Sequence, residues 1–104
     1  MAGQFTKSIT SEEVVARLEQ GKPLSIIDVR EPDEWNSGHI PGAKHLPLGQ
    51  ISARHSELDP KRETIVVCRS GNRSGLACEL LEAMGYDVVN LTGGMLGWKG
   101  RLEF

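Results

Sequence analysis

An α/β domain with a largely parallel sheet is what this sequence predicts, and three features carry the prediction. The short apolar runs "PLSIIDV", "ETIVVC" and "DVVNL" lack the polar alternation of a half-exposed strand and read as strands covered on both faces. Helical patterns stand between them, so the strands are joined by crossovers with helices on both faces of the sheet. The run "ETIVVC" ends in a cysteine followed by "RSGNRSG", and open α/β sheets take ligands at the carboxyl ends of their strands.

Each element has its own local reason. "ITSEEVVARLEQGK" is a first helix: Thr10 and Glu13 fit a capping box, Val14, Val15 and Leu18 make a helical stripe, and Gly21 closes it. "PLSIIDV" is the first buried strand. "EPDEWNSGHIPGA" is broken by Pro32, Gly38, Pro41 and Gly42, so one short helical turn fits before a loop. "KHLPL" reads as a brief strand, with Pro47 placing it at an edge or an end. "GQISARHSEL" is a short helix before the Asp59-Pro60 turn, and "ETIVVC" is the second buried strand. "SGLACELLEAMGY" follows as a helix with Ala77, Leu80, Leu81 and Met84 on one face and Gly85 as its stop. "DVVNL" is a strand, "TGGMLG" a glycine-rich loop, and "WKGRLEF" a tail with helical character.

With 104 residues the chain is expected to form one domain over 1–104. A net charge of −2 offers no global basic field for nucleic acid or an anionic membrane, so any positive charge that matters is local. No apolar run is long enough to span a bilayer, and "MAGQFTKSIT" lacks the apolar core of a secretory signal. The two cysteines, Cys68 and Cys78, do not make a disulfide framework, which predicts free thiols in a reducing cytoplasm.

The loop after Cys68 is built for an anion. A thiol at neutral pH is mostly protonated, and only its thiolate is a good nucleophile. "RSGNRSG" leads directly into a helix N-terminus, whose unpaired N–H groups and partial positive charge favour the ionised sulfur. Gly71 gives the backbone the freedom to curl those amides around it. Arg69 and Arg73 add full charges and forked donors suited to an oxyanion. A structural cysteine ending a strand is the simpler account. Two arginines and a glycine within five residues argue against it, because such a loop stays near solvent.

Taken together, "DVREPDEWNSGHIPGAKHLP", "VVCRSGNRS" and "LTGGMLGW" resemble the single-domain rhodanese family of sulfurtransferases, in order, from about Ile9 to Trp98. The resemblance implies a three-layer α/β/α domain around a five-stranded, mainly parallel sheet. It implies a ping-pong reaction in which the Cys68 thiolate attacks the outer sulfur of thiosulfate, releases sulfite and holds a persulfide for cyanide or a cellular thiol. The amides of Arg69, Ser70, Gly71, Asn72, Arg73 and Ser74 would stabilise the sulfur anion, and both arginines would contact the donor's oxygens. Asp28 and Arg30 match family residues that support the site, and Trp35 matches a wall of its mouth. No cofactor or metal is implied. A partner protein that accepts sulfur is a further option.

Spacing separates this reading from its neighbours. Related phosphatases carry Cys-x5-Arg, whereas here four residues separate Cys68 from Arg73, a tighter cradle suited to a sulfane sulfur. Mercaptopyruvate-using relatives resemble "CGSGV", and the charged Arg69 in place of that glycine favours thiosulfate. Arsenate reduction and a non-catalytic interaction module are the other readings; inactive relatives commonly lose the cysteine or break the loop, and this chain keeps both.

Other residues have plainer roles. His39 in "GHIPGA" belongs to a turn and reads as structural, since a thiolate held by amides needs no general base. His45 and His55 read as surface or half-buried residues. Cys78 reads as a half-buried helix residue, with a resolving thiol as the alternative. No cysteine or histidine pair has zinc-knuckle spacing. Trp98 reads as packing, and Gly93 and Gly94 as a close turn near the sheet edge.

Overall fold

In the computed structural model, which describes residues 6–104, five strands form one wholly parallel sheet. They are β1 (Lys7–Ile9), β2 (Ser25–Asp28), β3 (Lys44–His45), β4 (Thr64–Val67) and β5 (Val88–Leu91), lying in the order β1-β5-β4-β2-β3. The helices are α1 (Ser11–Glu19), α2 (Pro32–Asn36), α3 (Ile51–Arg54) and α4 (Asn72–Ala83). Short 3-10 turns stand at Leu48–Gln50, His55–Glu57 and Gly94–Gly97. No helix among the described residues is long and apolar enough to cross a membrane.

The central strand shows why the apolar runs do not alternate. Every residue of β4 is buried. Ile65 and Val67 pack on one face with Ile9, Val14, Ile26, Val89 and Leu91. Val66 and Cys68 pack on the other with Ile27, Ile51, Cys78 and Leu81. Successive side chains point to opposite faces, and both faces are covered, one by α1 and the other by α3 and α4. This is a three-layer α/β/α arrangement, as the sequence resemblance implied.

The α1 cap forms as its sequence predicts. Thr10 Oγ1 accepts the Glu13 N–H at 3.1 Å, and Glu13 Oε1 accepts the Thr10 N–H at 3.2 Å. Such a cap stabilises a helix by about 1 kcal/mol. Topology then sets the site. From β2 the chain moves outward to β3, but from β4 it moves the opposite way to β5, so the sheet's switch point lies between the neighbours β2 and β4. Asp28 pairs with Val67, and the Val29 N–H donates to the Val67 carbonyl at 2.9 Å. The chain segments that carry Arg30 and Cys68 therefore leave the sheet side by side.

Three expectations change. Ile9, read as the start of the first helix, instead ends the edge strand β1, for which no strand was expected; only Ile9 of its three residues is buried, so it has no apolar run of its own. The tail is not helical: the His39 N–H donates to the Glu103 carbonyl at 2.9 Å and the Glu103 N–H returns to the His39 carbonyl at 2.8 Å. On α4 the buried stripe is Ser74, Ala77, Cys78 and Leu81, whereas Leu80 and Met84 are exposed. The helix carries apolar residues all round, so periodicity could not choose the face; contact with β4 and β5 did. The loop "TGGMLG" closes into the 3-10 turn Gly94–Gly97.

Candidate active site

Cys68 is the first residue beyond β4, and its side chain lies on the face covered by α4, only 1% exposed. The chain turns at Gly71, whose φ of 109° caps α4 in a conformation that costs other residues energy. That turn aims the Gly71 N–H at Sγ, 2.9 Å away. One turn into α4, Ser74 is fully buried and brings Oγ to 3.3 Å from Sγ. Burial pushes the Cys68 thiol up, but the Ser74 hydroxyl and the amides of Ser74, Gly71 and Ser70 outweigh it, so the group ionises below its ordinary value.

Ser74 is itself positioned from β5, by a residue the sequence reading missed. Its hydroxyl donates to Asn90 Oδ1 at 2.5 Å, while Asn90 Nδ2 donates to the Gly71 carbonyl at 3.3 Å. A hydroxyl has one proton. With the thiol neutral, Ser74 Oγ accepts from S–H and donates to Asn90; with a thiolate, its proton is best turned toward sulfur. Asn90 thus ties both ends of the sulfur cradle to the sheet.

The glycine pair holds the cradle from behind. Met95 and Leu96 donate their N–H groups to the carbonyls of Cys68 and Arg69 at 2.8 and 2.9 Å. Gly94 permits that approach: a Cβ there would lie 2.5 Å from the Cys68 carbonyl oxygen and 2.6 Å from that of Arg69.

The two loop arginines differ. Arg69 is exposed and makes no ion pair with any described residue. Arg73 reaches across to α2, where Nη1 and Nη2 meet the two oxygens of Glu34 at 2.6 and 2.7 Å. These bonds hold the Glu34 carboxyl down to about 2. Glu34 was another residue missed in sequence, hidden inside the short helical turn; an acid at the third position of a helix had an adequate local role, and it does accept the Glu31 N–H at 3.0 Å. Ser70 is exposed in the loop, and Asn72 is exposed as the first residue of α4.

Asp28 and Arg30 form a buried, forked ion pair: Nε donates to Oδ1 at 2.9 Å and Nη2 to Oδ2 at 2.8 Å. Nη2 also donates to the Gly38 carbonyl at 2.8 Å, which fixes the loop after α2 against the end of β2. Trp35 stacks on His39, with centroids 3.5 Å apart, and on His45 at 4.8 Å. His39 has its Nδ1 3.0 Å from the Trp35 carbonyl, and its backbone is bound to the tail. Its observed contacts are structural. Cys78, expected half-buried, is fully buried; burial, then the charges of Glu82 and Cys68, push its thiol up to about 12. That keeps it protonated and argues against a resolving role. Both cysteines are free.

A buried thiol with a lowered pKa, cradled by amides at the switch point of a parallel sheet, has the chemistry of a candidate nucleophile. Comparison with known proteins gives the family: the model of the rhodanese-like domain matches residues 10–101, and the chain belongs to that family. It is 41% identical over 95 residues to a "Sulfurtransferase" of Allochromatium vinosum, covering 90% of this chain and 89% of that one. It is 36% identical to the "Putative sulfur carrier protein YrkF" of Bacillus subtilis over 91% of this chain, but spans only 52% of that protein's length. The rhodanese-like domain protein of Staphylococcus aureus superposes with a TM-score of 0.90 at 39% identity, over 95% of this chain and 98% of that one.

Proposed function

We propose that this chain is a sulfurtransferase that carries sulfane sulfur from thiosulfate to a thiophilic acceptor as a persulfide on Cys68. The Cys68 thiolate attacks the outer sulfur of thiosulfate. The sulfur–sulfur bond breaks, sulfite departs with the bonding pair, and Cys68 holds S–S⁻. Cyanide or a cellular thiolate then attacks the outer persulfide sulfur, leaving as thiocyanate or a new persulfide and restoring the thiolate. The relay balances without an external oxidant or cofactor.

The observation that carries this reading is the sulfur cradle: a Gly71 amide 2.9 Å from Sγ and a Ser74 hydroxyl 3.3 Å away, with a lowered thiol pKa. The same donors suit a persulfide, which keeps one negative charge on sulfur through the cycle. In this reading Arg69, Ser70, Gly71, Asn72, Arg73 and Ser74 form the donor site. Asp28 and Arg30 hold the neighbouring strand end, and Trp35 contributes to the mouth. A reducing compartment such as the cytoplasm keeps Cys68 available.

The likeness to a protein named as a sulfur carrier supports a second reading, in which the persulfide passes to a partner protein. It differs in acceptor, not in chemistry. The test is intact mass after thiosulfate treatment and desalting. A gain of one sulfur atom, removed by cyanide and absent from Cys68→Ser, is the expected result. No gain on a thiol that still alkylates would exclude thiosulfate as donor. Retained transfer by Cys68→Ser, with its fold intact, would sink the mechanism itself.

A further inference from the structure

The sequence offers two arginines to a donor's oxygens, but the structure gives one of them to a carboxylate. Both terminal nitrogens of Arg73 are taken by Glu34, at 2.6 and 2.7 Å. The pair is half-buried, with side chains 34% and 24% exposed, so it is less screened than a surface ion pair. A guanidinium held end-on by one carboxylate keeps its Nε–H and outer Nη–H donors, but its charge is largely neutralised before a sulfonate arrives. Arg73 remains in the electrostatic field of the site: its hydrogen bonds to Glu34 raise its pKa first, and the charges of Cys68 and Glu31 add to that.

From this geometry we propose that Glu34 is a donor-selectivity residue: by neutralising Arg73 it narrows the margin by which the site favours dianionic sulfane-sulfur donors such as thiosulfate over singly charged ones. This deepens the sulfurtransferase reading and rests on it. Thiosulfate brings two charges to a site where Arg73, which feels the Cys68 charge, is already neutralised by Glu34, and the Glu31 carboxylate adds to the same field. Arg69 is then the guanidinium left for the donor. A persulfide or thiosulfonate with a single charge asks less of the site. Its transfer is the same reaction: the thiolate takes the outer sulfur and a thiolate or sulfinate leaves with the bonding pair.

The experiment compares two donors of matched chemistry, thiosulfate and methanethiosulfonate, which differ by one negative charge. Single-turnover loading of Cys68 is followed by intact mass in the full chain, in wild type, Glu34→Gln, and Glu34→Gln combined with Arg73→Gln. Gln keeps an oxygen for the Glu31 amide, so the α2 cap survives. Glu34→Asp, one methylene shorter, is the second variant should the first be unstable.

Glu34→Gln is expected to raise the ratio of thiosulfate to methanethiosulfonate efficiency by about tenfold, mainly through the half-saturating concentration, and less at high salt. Adding Arg73→Gln removes the gain, because the freed guanidinium is its source. An unchanged or lowered ratio overturns the proposal, as does a gain that survives in the double variant. Alkylation of Cys68 by iodoacetate against neutral iodoacetamide reads the same charge preference without sulfur transfer. A ratio that shifts toward iodoacetate in Glu34→Gln supports the role of Glu34, and one that stays fixed counts against it. If wild type alkylates normally but is loaded by neither sulfur donor, the sulfurtransferase reading fails and the donor assignment falls with it.

Discussion

Cys68 sits where two opposing effects meet. A cysteine only 1% exposed loses hydration, which favours the neutral thiol; the hydroxyl and amides around it favour the anion and prevail. Because the balance rests on few groups, each is visible by mutation. Ser74→Ala removes the hydroxyl contact at 3.3 Å, and its expected effect is a higher Cys68 pKa. The pH profile of iodoacetamide reaction would move upward, leaving less thiolate at neutral pH, and an unmoved profile would show that the amides suffice. Cys78 illustrates the contrast: it is the same residue type on α4, yet burial and nearby negative charge hold it protonated to about 12.

Elements fix these residues through few, short ties. The 3-10 turn Gly94–Gly97 supports the Cys68 loop by two backbone bonds, and Gly94 combines a φ of 53° with a Cβ position 2.5 Å from the Cys68 carbonyl oxygen. Gly94→Ala therefore strains the turn or displaces the loop, at a cost of about 1–3 kcal/mol. The expected outcome is a lower Tm together with slower persulfide loading, measured on the same preparation. At the end of β2, Asp28→Ala would leave the Arg30 guanidinium buried with only the Gly38 carbonyl as partner. Breaking such a buried pair costs about 3–5 kcal/mol, which denaturant titration would detect as a lowered midpoint. A loss below about 1 kcal/mol would mean water reaches the site and that Arg30 is not held dry.

At the scale of the whole molecule, the candidate site follows from where the sheet reverses its winding. β2 and β4 are neighbours whose following segments diverge, and α2 and α4 are joined beyond their ends by the Glu34–Arg73 pair. The sequence by itself determined the α/β class, the buried strands, the α1 cap and the place of Cys68 at a strand end before a glycine- and arginine-bearing loop. Those rest on local patterns: continuous apolar runs, capping residues and a cysteine set in glycine and arginine. Tertiary structure decided the rest. β1 exists because β5 offers it an edge, the buried face of α4 was chosen by the sheet, and the tail is held by His39. The partners Asn90 and Glu34 lie 16 and 39 residues from Ser74 and Arg73, the α4 residues they hold. No local pattern marks such pairs, because their energy comes from burial and charge brought together only when the chain closes.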